Sequence, residues 1–162
     1  MDVTVDSKLF DCLLTDVSLE DVKSQISTAL NQKYLSDVDN QAEINSNTIS
    51  GIIWGRHRRL FVMAVVSWKG KNKRVHFFVD TGAPFSYLCE DTLKAFQGKP
   101  LEAINPNNAM TMEINNRRIQ VTMSPPKGHF RDINMLGSDF LGINNAILEA
   151  NYETNTCVIT LH

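Results

Sequence analysis

FFVDTGAPFSYL, residues 77–88, decides how this chain is read. Phe77, Phe78 and Val79 are aromatic or β-branched and read as a strand. The strand delivers Asp80 to a turn. Asp and Gly after a strand more often mark a plain β-turn than a site. Here Gly82 lets the backbone bend sharply, and the Thr81 hydroxyl can tie the turn to a neighbouring backbone. The pattern presents a carboxylate surrounded by oriented donors.

Working outward, the upstream run LFVMAVVSW (Leu60–Trp68) is followed by the turn KGKNK and by VHFFVD (Val75–Asp80), a hairpin with a basic turn. Downstream, Met110, Met112 and Ile114 alternate with polar residues. Asn115-Asn116 then tolerates positive φ, and Ile119, Val121 and Met123 alternate again, a second hairpin. Ser124-Pro125-Pro126-Lys127-Gly128 breaks the pattern. NMLGSDFLGINNAIL reads as a strand, a Gly bend and a short helix, and CVITLH as a final strand. Many short strands with turn signals between them predict a small closed β structure over residues 48–162. Residues 1–47 are different, acidic and helix-like. Ser18 followed by Asp21 predicts a capping box, with Val17 and Val22 as a hydrophobic staple. Leu19, Val22, Ile26 and Leu30 share one helical face. SDVDNQAEINSN, residues 36–47, reads as a linker.

VDTGA resembles the active-site loop of retropepsin-like aspartic peptidases, and INMLGSDFL (residues 133–141) resembles that family's second signature. IIWGRHRRLFVMAVV is similar to its N-terminal strand and first hairpin. LGINNAILEANYETNTCVITL resembles the C-terminal helix and strand of retrotransposon-encoded members. The resemblance implies an all-β, closed barrel-like acid-protease domain with a short helical N-terminal extension. It implies an aspartic endopeptidase, with an origin in a mobile element. Asp80 would be the catalytic carboxylate. Thr81, Gly82 and Ala83 would shape its loop, and Leu136 and Gly137 would support it from behind. No metal or organic cofactor is implied.

Such hydrolysis needs two carboxylates sharing a proton, one activating water and the other polarising the scissile carbonyl. Their titrations split apart, so acidic to mildly acidic pH is expected to favour activity. The chain has one DTG, and Asp139 lacks a following Thr-Gly. The resemblance therefore implies a two-fold homodimer with Asp80 of each copy at the axis, acting on a polypeptide substrate. ISGIIW (Ile49–Trp54) and CVITL (Cys157–Leu161) are the candidate interface strands, because alone they would be apolar edges. Two features depart from the family. Pro84 stands where a small polar or acidic residue is usual, and it offers no N–H. QGKPLEAINPNN (residues 97–108) leaves little room for a covering flap hairpin. They leave open an alternative, a catalytically weak or inactive dimerisation or peptide-binding module.

The bulk numbers fit one domain plus an appendage: 162 residues, 43% hydrophobic, 21% charged, net charge -2. That charge argues against nucleic acid as the partner, despite the basic stretches Arg56–Arg59 and Lys69–Arg74. In the family an Arg of the first stretch would brace the dimer, with Arg56 or Arg58 the candidates. The three cysteines, Cys12, Cys89 and Cys157, form no CxxC and suggest neither disulfide framework nor zinc site. No apolar run approaches membrane-spanning length. A cytoplasmic protein without membrane contact is the resulting expectation. His76 could be imagined pairing with Cys89 or Ser86, but nothing in the spacing sets such geometry. The alternating methionines read as core filler, and Cys157 as a buried small hydrophobe.

Overall fold

The alternating segments form nine strands in the structure, a computed structural model that describes residues 6–97 and 109–162. They are β1 (Thr48–Trp54), β2 (Arg59–Trp68), β3 (Lys71–Val79), β4 (Tyr87–Leu88), β5 (Met110–Ile114), β6 (Arg117–Met123), β7 (Asn134–Leu136), β8 (Ile147–Asn151) and β9 (Thr156–Thr160). The order β3-β7-β4-β6-β5-β2 returns to β3 through the β2–β3 pairing, which closes a six-stranded barrel. The fold class is all-β, with a short helical N-terminal extension.

Strand β2 is long enough to serve two neighbours along one edge. Its first residues pair with β1, and Val66 and Ser67 pair with β5. β1 comes in very close: a Cβ on Gly51 would lie 2.0 Å from the Phe61 carbonyl oxygen, so only glycine fits this crossing. Both hairpins turn through two residues at positive φ. Asn115 and Asn116 lie at 45° and 61°, where the sequence placed them. The first turn is shorter than the expected five residues. Only Lys69 and Gly70 turn, while Lys71–Lys73 continue β3 opposite Val66–Trp68.

Val62, Ala64 and Val66 of β2 and Val75, Phe77 and Val79 of β3 point into the barrel core with Leu88, Met112, Val121, Leu136 and Phe140. The alternate residues Phe61, His76 and Phe78 point outward yet are also buried. The N-terminal extension covers them. Its helix runs over residues 19–30, with a π-helical middle at Val22–Ile26. The Ser18 hydroxyl accepts from the Asp21 N–H, and the Asp21 carboxylate accepts from the Ser18 N–H, so the capping box forms as expected. Val22 and Ile26 bury against Phe61 and Phe78, with Leu19 and Leu30 half-buried beside them.

Residues 36–47 are not a free linker. A short helix, Gln41–Ile44, is capped by the Asn40 side chain. Val38 and Ile44 bury against Val65. Glu43 receives two bonds from Arg74, at 2.8 and 2.7 Å, and Asp37 pairs with Lys73 at 2.7 Å. Two apolar residues hidden among polar ones were enough to dock the segment. The same pairs partly neutralise the basic run of β3.

The two strands expected to await a partner are satisfied within the chain. β1 lies between β2 and β9, and β9 lies between β1 and β8. Among the described residues, the free edge is β8. Ile147 on that strand, Ile143 just before it and Tyr152 just after it are all more than half exposed. Cys157 is buried and Met112 lies in the core. Among the described residues, no helix is long and apolar enough to cross a membrane, and no cluster of three potential metal ligands occurs.

Candidate active site

Asp80 sits where β3 ends. Its backbone N–H donates to the Leu136 carbonyl at 3.0 Å, extending the parallel β3–β7 ladder by one bond. β7 is inserted between β3 and β4, parallel to the first and antiparallel to the second. The loop 80–86 must therefore cross over the end of β7, and that crossing is where the two sequence signatures meet.

The loop curls around its own carboxylate. The Gly82 N–H donates to Asp80 Oδ1 at 2.9 Å, and the Ala83 N–H to the Asp80 carbonyl at 3.1 Å. Gly82 does not need positive φ. Its constraint is proximity, since a Cβ there would stand 3.2 Å from Asp80 Oδ1. Ala83 is fully buried, whereas Thr81 and Gly82 are exposed and Asp80 is half-buried. The Ala83 carbonyl accepts from both the N–H and the hydroxyl of Ser138, at 2.7 and 3.0 Å. Gly137 lies directly beneath: a Cβ on it would be 2.2 Å from the Phe85 carbonyl oxygen and 2.7 Å from that of Ala83. Asp80, Thr81, Gly82, Ala83, Leu136 and Gly137 thus belong to one local unit.

Two further residues join that unit in a role the sequence did not suggest, Ser86 and Asp139. Ser86 is fully buried and donates its hydroxyl to Asp139 Oδ1 at 2.7 Å and its N–H to Oδ2 at 3.1 Å. The same hydroxyl accepts from the Gly137 N–H at 3.0 Å. Asp139 also accepts from the Phe140 N–H, in the first turn of the helix Ser138–Ile143. Burial raises the Asp139 carboxyl above its ordinary range, against the pull of the Ser86 and Phe140 bonds. Asp139 is therefore a clamp on the loop. The hydroxyl-to-carboxylate spacing across two distant segments left no local pattern to read.

A second missed contributor comes from the N-terminus. Arg59, at the start of β2, ties the extension to the barrel beside Phe78. It donates through Nε and Nη2 to Asp16, at 3.1 and 2.7 Å, and its guanidinium lies 5.7 Å from the Phe78 ring centroid. This pairing holds the Asp16 carboxyl below the usual carboxylate range. Burial and, after it, the neighbouring Asp80 carboxylate push the Cys12 thiol up to about 11.

His76 forms no pair with Ser86 or Cys89. Its Nε2 lies 3.1 Å from Ser27 Oγ and 3.2 Å from the Gln32 carbonyl, under the N-terminal helix. Cys89 instead joins a buried group with Tyr34, Thr92 and Asn134. Of the interval expected to bear a flap, the helix Glu90–Gln97 is formed and Gly98–Asn108 lies outside the described residues.

No protein-family model and no curated protein matches the chain. Among solved structures, it is similar to a retropepsin-like aspartic protease from Rickettsia conorii, with a TM-score of 0.46 and 18% identity over 70% of this chain and 90% of that one.

Proposed function

We propose that the protein is an aspartic endopeptidase whose Asp80 acts together with Asp80 of a second copy on an extended polypeptide. The observation that carries this is the Asp80–Ala83 loop. A carboxylate stands at the end of a barrel strand, with one oxygen held by the Gly82 N–H and the loop clamped from behind by Leu136, Gly137 and Ser138. A scaffold turn gains nothing from a carboxylate placed at a two-fold axis, where two facing carboxylates cost free energy unless they share a proton. With one proton shared, the ionised carboxyl takes a proton from water as the water oxygen attacks the scissile carbonyl carbon. The protonated carboxyl gives its proton to the carbonyl oxygen. Collapse of the tetrahedral intermediate expels the amine, which takes the proton that the first carboxyl drew from water, while a gem-diol hydroxyl returns its proton to the second carboxyl as the carbonyl re-forms.

The second carboxylate has to come from a second copy, and the β8 edge is the surface we assign to that contact. It is an unpaired strand edge with Ile147 exposed on it and Ile143 and Tyr152 at its ends. A mobile-element origin and a cytoplasmic setting belong to the same proposal.

The test is cleavage of a denatured protein or a peptide library from acidic to neutral pH, comparing wild type with Asp80→Asn at matched concentration. Loss of cleavage in the variant supports the peptidase, with an expected fall of at least about a thousandfold for removal of a general base that also anchors the dyad. A folded, dimeric wild type with no Asp80-dependent cleavage at any pH would move the assignment to a module that binds and pairs.

A further inference from the structure

The extension does more than cover Phe61 and Phe78. Residues 9–14, Leu-Phe-Asp-Cys-Leu-Leu, run past the Asp80 loop with an alternating pattern. Leu9, Asp11 and Leu13 are exposed, while Phe10, Cys12 and Leu14 turn inward. Period two is the signature of a chain lying extended on a surface. Each inward side chain meets a different part of the site. The Phe10 ring lies 6.2 Å from Tyr87 and 6.0 Å from Phe130, centroid to centroid. Half-buried Cys12 lies between Phe10 and Leu14 in sequence, and burial, helped by the Asp80 carboxylate, pushes its thiol up. Leu14 is buried in the cluster that contains Ala83 and Phe78.

Both ends of this stretch are tied down. Tyr87 donates its hydroxyl to the Ser7 carbonyl at 2.7 Å, and the His129 N–H donates to the Asp11 carboxylate at 2.9 Å. At the other end Arg59 holds Asp16 and also reaches the Leu13 carbonyl at 3.4 Å. The bonds to Ser7 and Leu13 go to main-chain carbonyls, which any peptide carries. The apolar contacts go to side chains, which only some peptides carry.

We propose that residues 9–14 occupy in cis the groove over Asp80 that a substrate chain would take, so that the folded protein is self-blocked. The strap also spells the preferred ligand: an extended peptide with an aromatic residue over Tyr87 and Phe130, a small residue at Asp80 and an aliphatic residue two positions on. This rests on Asp80 being the peptidase carboxylate. The strap must leave before a second Asp80 can approach the first.

The experiment uses the full chain. Phe10→Ser and Asp11→Ala loosen the strap without touching Asp80. Two readouts are taken: the rate at which iodoacetamide alkylates Cys12 under native conditions, mapped by mass spectrometry, and binding of the fluorescent peptide Leu-Phe-Asp-Ser-Leu-Leu. Cys89 and Cys157 are buried and serve as internal folding controls. Loosening is expected to speed Cys12 alkylation about tenfold, as for loss of one half-buried aromatic contact, and to tighten peptide binding by a similar factor. Should Phe10→Ser fail to fold, wild type alone suffices, because saturating peptide must displace the strap and accelerate Cys12 alkylation. Equal peptide affinity in wild type and variants, or alkylation of wild type indifferent to peptide, overturns the proposal. A variant that gains peptide binding without Asp80-dependent cleavage keeps the strap and rejects the peptidase.

Discussion

His76 should set the acid limit of this protein's stability. Its ring is 1% exposed beneath the N-terminal helix. Nε2 reaches the Gln32 carbonyl, so it carries the proton and donates. Nδ1 is buried with no partner among the described residues, and protonating it would create a buried N–H with none of them to receive it. Burial accordingly depresses the imidazole from an ordinary 6.5 to about 4. A base with a lowered folded pKa stabilises the fold while neutral. That contribution is complete above pH 6.5 and is lost as pH falls toward 4. Linkage puts the loss at about 2 kcal/mol by pH 5 and about 3 kcal/mol by pH 4. For a chain of this size, the loss at pH 5 corresponds to a fall in Tm of roughly 4–8 °C. Urea unfolding of wild type and His76→Gln at pH 7.5, 6, 5 and 4 measures it, since the variant should lack this part of the acid slope. An NMR titration of His76 near 6.5, or equal acid slopes in the two proteins, would refute the reasoning. Under the proposed function, a carboxylate dyad favoured by acid would work in a protein that acid weakens.

Other expectations concern the loop crossing. Gly137→Ala forces a methyl against two backbone carbonyls and should cost about 3 kcal/mol or more. Gly142→Ala, with nothing within 4 Å of its Cβ, should be neutral or stabilising by up to about 1 kcal/mol. Differential scanning calorimetry of the pair distinguishes close packing from generic intolerance of glycine loss. Ser86→Ala removes a donor from the Asp139 carboxylate and a receptor from the Gly137 N–H. It should cost about 2–3 kcal/mol and raise the Asp139 pKa further, which carboxyl-carbon NMR would detect.

Much of the architecture was legible because local chemistry specified it. The Asn115-Asn116 turn, the Ser18 capping box and the period-two runs each depend on residues close in sequence, whose steric and hydrogen-bonding preferences act before the chain folds. The Asp80 loop and the Gly137 segment could be picked out for similar reasons, each being a strand with a glycine at its end. Their meeting was expected only from the family resemblance, because the local chemistry of neither segment contains it. It follows from β7 inserting between β3 and β4, which makes the loop cross the strand end and leaves no space for a Cβ at Gly137. The same non-local logic explains what was read differently. Val38 and Ile44 looked like stray apolar residues in a linker until Val65 stood opposite them. β1 and β9 looked like open edges until they paired with each other. Ser86 found Asp139, Arg59 found Asp16, and Phe10 found Tyr87 and Phe130 only because the barrel brought distant segments onto one face. Sequence by itself indicated most of the stretches that form strand, turn and cap, and it singled out one carboxylate at the end of a strand. Only tertiary structure decided what braces that carboxylate and what lies across it, because those energies come from burial and pairing between residues that the chain order keeps far apart.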